Sequence, residues 1–141
     1  MPLKFHPKPG TLLICDFNTG FKPPEMIKKR PVVIISPRPR RNIQLCTVIP
    51  LSTTEPSPVE AYHHLLRTES LPEKLSSKLT WAKCNVIATV ALDRLDRIHI
   101  GQNNSGKRQY ISPMIMPDDF QAIQHSVLIA LGLHNNLTII K

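Results

Sequence analysis

Apolar and polar positions change rhythm once along this chain, and the change separates a strand-forming part from a helical end. Thr11-Leu12-Leu13-Ile14-Cys15-Asp16-Phe17 is an apolar run bounded by the turn signals Pro9-Gly10 and Asn18-Thr19-Gly20, which predicts a strand. Pro31 to Ser36 contains Val32-Val33-Ile34-Ile35, a β-branched run suited to a strand buried on both faces. Pro31 is expected at that strand's first position, because it has no N–H to give to a ladder. Ile43 to Leu51 predicts a third strand, Ala61 to Leu66 a short fourth, and Trp81 to Val90 a further one. Ala91 to Ile98 stays open: Leu92, Leu95 and Ile98 have helical spacing over a stretch too short to decide. Gly101 to Gly106 reads as a polar loop.

At the end of the chain the apolar period becomes helical. Asp118 with Gln121 three residues later has the form of a capping box. Phe120, Ile123, Val127, Leu128 and Leu131 then share one face, and Gly132 is placed to stop the helix. That stripe reads as core or dimer packing, and His125, which lies off it, is expected to be exposed. Fourteen prolines punctuate the strands rather than cluster, as expected of a compact fold with stiff loops. No repeat or linker divides residues 1–141, so one domain is expected. Several short strands followed by one long C-terminal helix give a mainly β or α+β small barrel.

A chain of 141 residues buries roughly two thirds of its unfolded surface and needs no staples. Cys15, Cys46 and Cys84 are odd in number, far apart and without any CxxC; they read as core thiols in a reducing compartment. The segment from Met1 to Pro9 has no apolar stretch and does not read as a signal peptide. The longest apolar run, Val127 to Leu133, falls far short of the roughly 20 residues of a membrane span. A soluble, cytoplasmic protein with no membrane partner is therefore expected. The formal charge of +8 points to a polyanionic partner, with nucleic acid first. No acidic residue falls between Glu25 and Glu55, whereas Lys28, Lys29, Arg30, Arg38, Arg40 and Arg41 all do. Such a one-signed cluster tracks phosphates by releasing condensed counterions; the plainer reading is a solvated loop. Arg94, Arg97, Lys107 and Arg108 stay open between an extension of an RNA path and solvated charge.

Metal and cofactor chemistry find no support in the pattern. The acids Asp16, Glu25, Glu55, Glu60, Asp93, Asp96, Asp118 and Asp119 do not form the clusters that hard cations need. His63-His64 is the one histidine pair, and on a strand its members point to opposite faces and cannot share an ion; one facing a cleft would serve as an acid or base. What remains is the basic strand start and the hydroxyls Ser52-Thr53-Thr54 at the end of the third strand. Metal-free RNA cleavage can be built from such parts. The substrate brings its own nucleophile, the 2′-hydroxyl, so the protein need only position the phosphodiester and stabilise the added charge. An arginine suits that role because its planar fork grips phosphate at two points. The hydroxyls read equally well as turn residues bonding local backbone. Trp81 and Tyr62 read as core packing before base stacking.

Gly10 to Phe17, a loop bearing Gly20 and Glu25, Arg30-Pro31-Val32-Val33-Ile34-Ile35-Ser36 and Val48-Ile49-Pro50-Leu51-Ser52-Thr53 occur here in that order. Together they resemble the opening of the PemK/MazF toxin family. The similarity continues more weakly through Lys83-Cys84-Asn85 and Leu92-Asp93-Arg94-Leu95 to the Asp118-Asp119 helix. The resemblance implies an SH3-like barrel with a C-terminal helix, usually a homodimer, that cuts single-stranded RNA without a metal and answers to an acidic antitoxin. It assigns Arg30 as stabiliser of the transition state, Ser52 with Thr53 as the strand-end hydroxyl, and Glu25 as the loop glutamate. Lys28, Lys29, Arg38, Arg40 and Arg41 become RNA-steering charges, joined by Lys83 and Asn85. Two departures stand out. Lys83-Cys84-Asn85 replaces an Arg-Cys-Asp triplet that has catalytic duty in some relatives, and Phe21 replaces their histidine. The alternatives are a CcdB-like gyrase-binding poison and a non-catalytic RNA-binding regulator.

Overall fold

The computed structural model describes Leu3 and residues 5–135; the other residues of the Met1–Pro9 segment lie outside the described ones. Among the described residues nine strands precede one α-helix. In chain order they are β1 (Leu12–Asp16), β2 (Lys29–Ile34), β3 (Leu45–Ser52), β4 (His63–Leu65), β5 (Trp81–Lys83), β6 (Ala88–Ala91), β7 (Leu95–Asp96), β8 (Ile98–Gln102), β9 (Arg108–Ile111) and α1 (Pro117–Ala130). The main sheet runs β4-β5-β3-β2-β1-β7, with β6 also paired to β3, and β8-β9 forms a separate hairpin. The class is α+β, as the sequence predicts. Among the described residues no helix is long and apolar enough to cross a membrane.

Both faces of the central strands are covered. Leu13 and Cys15 of β1, Val32 and Ile34 of β2 and Cys46 and Val48 of β3 enter one core with Phe17, Val90, Leu92 and Leu95. Leu12, Val33, Ile49 and Leu51 face the other way, into a second core with Ala82, Ile98, Ile115 and Ile123. This is why β2 reads as a run of β-branched residues rather than an alternation: each side chain has a core to enter.

Pro31 is the third residue of β2, not its first. The strand starts earlier because Cys15↔Arg30 and Asp16↔Lys29 continue the ladder with β1. The proline is tolerated by its direction. Ile35 N–H donates to Thr47 O at 3.0 Å, so by alternation the nitrogens of 33 and 31 also face β3. At 31 that nitrogen carries no hydrogen, and the β2–β3 pairing ends at Val32↔Pro50.

The predicted strand from Trp81 to Val90 is two strands. Val86 N–H bonds Lys83 O at 3.0 Å and closes a turn between β5, which pairs Leu51 and Ser52, and β6, which pairs 45–48. The open stretch from 91 resolves into a 3₁₀ turn, Leu92–Arg94, and β7. The expected polar loop is the turn of the β8–β9 hairpin at 103–106, where Gly106 N–H bonds Asn103 O at 2.9 Å, while Gly101 and Gln102 belong to β8.

The helix begins at Pro117, with Met116 at its N-cap and no side-chain cap. Asp118 is thus inside the first turn and builds no capping box. Its neighbour Asp119, 2% exposed, instead ties the helix to the sheet. His64 Nε2 donates to its Oδ1 at 2.8 Å, and Arg67 N–H to its Oδ2 at 3.1 Å. Ser70 Oγ donates to Oδ2 and accepts Met116 N–H at 2.9 Å. A carboxylate in the first turn also suits the helix dipole. At the other end Gly132, φ +72°, completes a Schellman motif: Leu133 N–H reaches Leu128 O and Gly132 N–H reaches Ile129 O. Ile123 is fully buried, His125 is exposed as expected, and Leu131, at the end of the predicted stripe, is exposed.

All three cysteines are buried and unbridged. Burial pushes the thiols of Cys15 and Cys84 up to about 12 and that of Cys46 up to about 11. The folded protein should therefore resist a thiol-specific disulfide reagent at pH 8 and release three thiols only on unfolding. In the unfolded chain these thiols ionise near 9, earlier than in the fold. Their contribution to stability is complete below pH 9 and is lost as pH rises from 9 towards 12, which denaturant midpoints across that range will show. Asp119→Ala leaves three donors unpaired and should cost about 2–3 kcal/mol, a fall in Tm of roughly 6–15 °C.

Candidate active site

The alternation that fills the two cores also decides which polar side chains meet. On β2 the face of Val32 and Ile34 is the face of Arg30. On β3 the face of Val48 continues through Pro50 to Ser52. Val32 pairs with Pro50, so Arg30 and Ser52 each stand two residues further on, on that same face and just past the last rung. The missing N–H of Pro31 ends the ladder there and frees the two strands to part.

β5 and β4 extend this face. Leu51 pairs with Ala82 and Ser52 with Trp81, which places Trp81 and Lys83 on the face of Ser52. His63 pairs with Lys83 and His64 with Ala82. The histidines therefore part as alternation requires: His63 joins Lys83, while His64 turns to the opposite face and meets Asp119. Arg30, Ser52, Lys83 and His63 are thus four polar residues on one face of four strands, with Trp81 buried beside them.

Each has a distinct electrostatic setting. Arg30 is half-buried, and its Nε is buried without a hydrogen-bond partner among the described residues. Ser52 is buried at 6% exposure; its Oγ accepts Thr54 N–H at 3.1 Å, the local turn bond expected of such a hydroxyl, which leaves its O–H to donate elsewhere. His63 Nδ1 accepts Glu60 N–H at 2.9 Å, so the neutral ring carries its proton on Nε2. Burial, and then the charge of Lys83, push this imidazole below its usual 6.5 against the opposing pull of Glu60. It is neutral at pH 7.

The remaining predicted residues stand further out. Thr53 is exposed next to Ser52, and Asn85 is exposed in the turn after β5. Glu25 is exposed in the loop between β1 and β2, where its N–H bonds Lys22 O at 2.8 Å; among the described residues its carboxylate forms no ion pair. The sequence cluster from Lys28 to Arg41 is divided in space. Lys28 and Lys29 stand at the start of β2, Lys29 on the face opposite Arg30. Arg38, Arg40 and Arg41 lie beyond its other end, roughly 15–20 Å away at 3.3 Å per residue, where Arg38 Nε donates to His6 O at 3.1 Å. Phe21 is taken up by packing: its ring meets Phe17 edge to face at 5.1 Å, and Arg94 lies over it at 4.9 Å. Trp81 packs as expected, and Tyr62, half-buried, has its ring 4.6 Å from His63.

His63 is the member of this face that the sequence raised only as one of an undecided pair. Its signal was available in the alternation of β4, but only the register with Lys83 selects it over His64.

Comparisons with known proteins agree with this architecture. YifN of Escherichia coli K12 is 30% identical over 116 residues, spanning 69% of this chain and 76% of its own. An endoribonuclease from a mycobacterial species superposes with a TM-score of 0.62 at 18% identity, covering 93% of this chain and 97% of its own. MazF of Deinococcus radiodurans superposes at 0.61 with 15% identity, covering 92% and 99%, and a MazE–MazF structure from the same organism at 0.56. Residues 8–128 match the family described as PemK-like, MazF-like toxin of type II toxin–antitoxin systems. That match takes in β1 to most of α1 and every residue of the polar face, and the chain belongs to this family.

Proposed function

We propose that this chain is a toxin endoribonuclease that cuts single-stranded RNA by attack of a 2′-hydroxyl on the adjacent phosphorus. The observation that carries the reading is the placement of Arg30 and Ser52 on one face where the β2–β3 ladder stops, with Lys83 and His63 on the next strands. In the step, the 2′-oxygen bonds to phosphorus and loses its proton, while the bond to the 5′-oxygen breaks and that oxygen gains one. The products are a 2′,3′-cyclic phosphate and a 5′-hydroxyl.

Charge on the phosphoryl oxygens rises towards the transition state, and donors already in place stabilise it without reorganising. Arg30 supplies a bidentate fork from a half-buried position, where its field is screened less than in open water. Ser52 Oγ–H adds one donor. Lys83 adds a point charge rather than a fork. His63 acts as a neutral Nε2–H donor, the state its low proton affinity and the Glu60 amide enforce. The step as described calls for no metal ion. Glu25 and Thr53 flank the site, and Asn85 contacts the RNA without moving a proton.

The partners on this reading are single-stranded RNA and an acidic antitoxin protein, and the working form is a homodimer in the cytoplasm. The fold shared with an endoribonuclease and with MazF in a MazE–MazF structure supports it.

Purified protein incubated with a long RNA in EDTA should yield fragments ending in 2′,3′-cyclic phosphate. Arg30→Ala should slow this about 10²–10³-fold, the usual cost of removing one preorganised donor, with an unchanged circular dichroism spectrum. Equal, intact RNA in both samples despite binding would instead make the chain a non-catalytic RNA binder, the outcome favoured by the packing role of Phe21 and the exposure of Asn85. Inhibited supercoiling without RNA cleavage would point to the gyrase-binding alternative. His63→Ala removes one further donor and should lower kcat about 10²-fold, measured on the same RNA.

A further inference from the structure

The face of β2 opposite Arg30 is also open at its start. There Lys29, Lys74, Arg94, Arg97 and Arg108 line a cleft of about 460 Å³ with three aspartates, between β1, the 73–75 turn, β7 and the β8–β9 hairpin. The five cations outnumber the three carboxylates, so the cleft is positive on balance. Asp16 Oδ1 accepts Asn18 N–H at 2.8 Å and Asp96 Oδ1 accepts Arg97 N–H at 2.7 Å, which fixes where these two carboxylates sit. Arg94 is also committed, through Asp16 O at 2.9 Å. Lys29, Arg97 and Arg108 are exposed along the cleft wall, as are Lys74, whose Nζ is drawn to a backbone carbonyl, and the third carboxylate, Asp93.

Two further observations indicate a ligand. His99 is held in the wall, its backbone carbonyl accepting Lys74 Nζ at 2.8 Å, and its ring nitrogen Nε2 is buried without a hydrogen-bond partner among the described residues. Such a group costs free energy that a bound polar atom recovers. Tyr110 lies between it and Arg97: the rings of His99 and Tyr110 are 5.3 Å apart, and the Arg97 guanidinium sits 5.1 Å from the Tyr110 centroid. Cations alternating with planar rings in a groove are the elements that hold single-stranded nucleic acid, phosphates on the charges and bases on the rings.

We propose that this cleft binds nucleotides of the RNA flanking the cleaved bond, phosphate against Lys74, Arg97 and Arg108 and base against the Tyr110–His99 wall. It rests on the reading of the Arg30 face as the cleavage site. Lys29 and Arg30 are consecutive, so one strand start presents a cation to each face. An RNA laid over Arg30 reaches the cleft by turning round that start. An acidic peptide would satisfy the charges but not the planar wall.

The test is binding of a 2′-O-methyl RNA of about twenty nucleotides, which cannot be cut, to wild type and to the Arg97→Ala/Arg108→Ala double variant across a salt series. The double variant should bind about tenfold more weakly, and its log–log salt slope should be shallower by about 1.4, the loss of two phosphate contacts on a single strand. Its kcat on a four-nucleotide cleavable RNA should not change. Arg97→Lys/Arg108→Lys, which keeps the charges, should retain most of the affinity and controls for loss of fold. Unchanged affinity and slope in the double alanine variant would overturn the proposal, as would loss of a poly-glutamate peptide's binding with RNA binding intact. A wild type that binds RNA through these residues yet leaves cleavable RNA whole would uphold the cleft and refute the nuclease reading.

Discussion

β2 is covered on both sides, and that double burial fixes where its polar residues point. Val32, Val33 and Ile34 are each fully buried, two in one core and one in the other. A slip of one residue would exchange the cores of all three and turn Arg30 to the wrong face. Because the period of a strand is two, fixing 32–34 also fixes 29–31. Arg30 must follow Val32, Lys29 must follow Val33, and Pro31 must aim its bare nitrogen at β3. One register thus sets a cation on each face and the point where the ladder stops.

Asp119 holds the far side of the same sheet. It gathers His64 from β4, the backbone of Arg67, and Ser70, which itself receives the N–H of Met116. The exposed Arg67–Asp118 pair nearby, at 3.1 Å with half or more of each side chain in solvent, adds little by comparison. The consequence reaches the proposed catalytic face. With His64 fixed on Asp119, β4 cannot rotate, and His63 is held towards Lys83. Helix docking on one face therefore positions a proton-carrying ring on the other.

How much of this was legible depends on how local each signal is. The β2 run, the Gly132 stop and the burial of the cysteines follow from short-range chemistry, and the sequence shows them. The capping box misleads because Pro117 also favours the first helical position, and tertiary partners claim Asp119. The β5–β6 break is hidden because Cys84, Val86 and Ile87 keep the run apolar through a turn. Lys28 to Arg41 looks like one patch along the chain, whereas six residues of extended strand carry its halves apart. The selection of His63, and the cleft formed by Lys29 with residues 74–110, arise from strand pairings between distant segments. No window of sequence contains them.

The same geometry bears on the transfer of protons, which the substituted residues make the central chemical question. Phe21 is committed to Phe17 and Arg94, and Asn85 has no acid–base chemistry at neutral pH. On the proposed reading His63 has its one basic nitrogen occupied by the Glu60 amide, and Lys83 beside it disfavours a second proton. Neither residue is set up to take the 2′-hydroxyl proton. The face as built is strong in electrostatic stabilisation and weak in proton transfer. General acid–base catalysis commonly contributes 10²–10⁴-fold and preorganised charge a comparable or larger factor. Cleavage resting on the second with little of the first would be slow, and its rate would rise with hydroxide concentration rather than peak near neutrality. Glu25 stands on the exposed loop that leads into β2, and Asp16, paired with Lys29, lies on the opposite face, so the loop carboxylate is the candidate base on the proposed reading. A bell-shaped rate profile would assign the missing base to that loop, and a steady rise with pH would assign it to solvent.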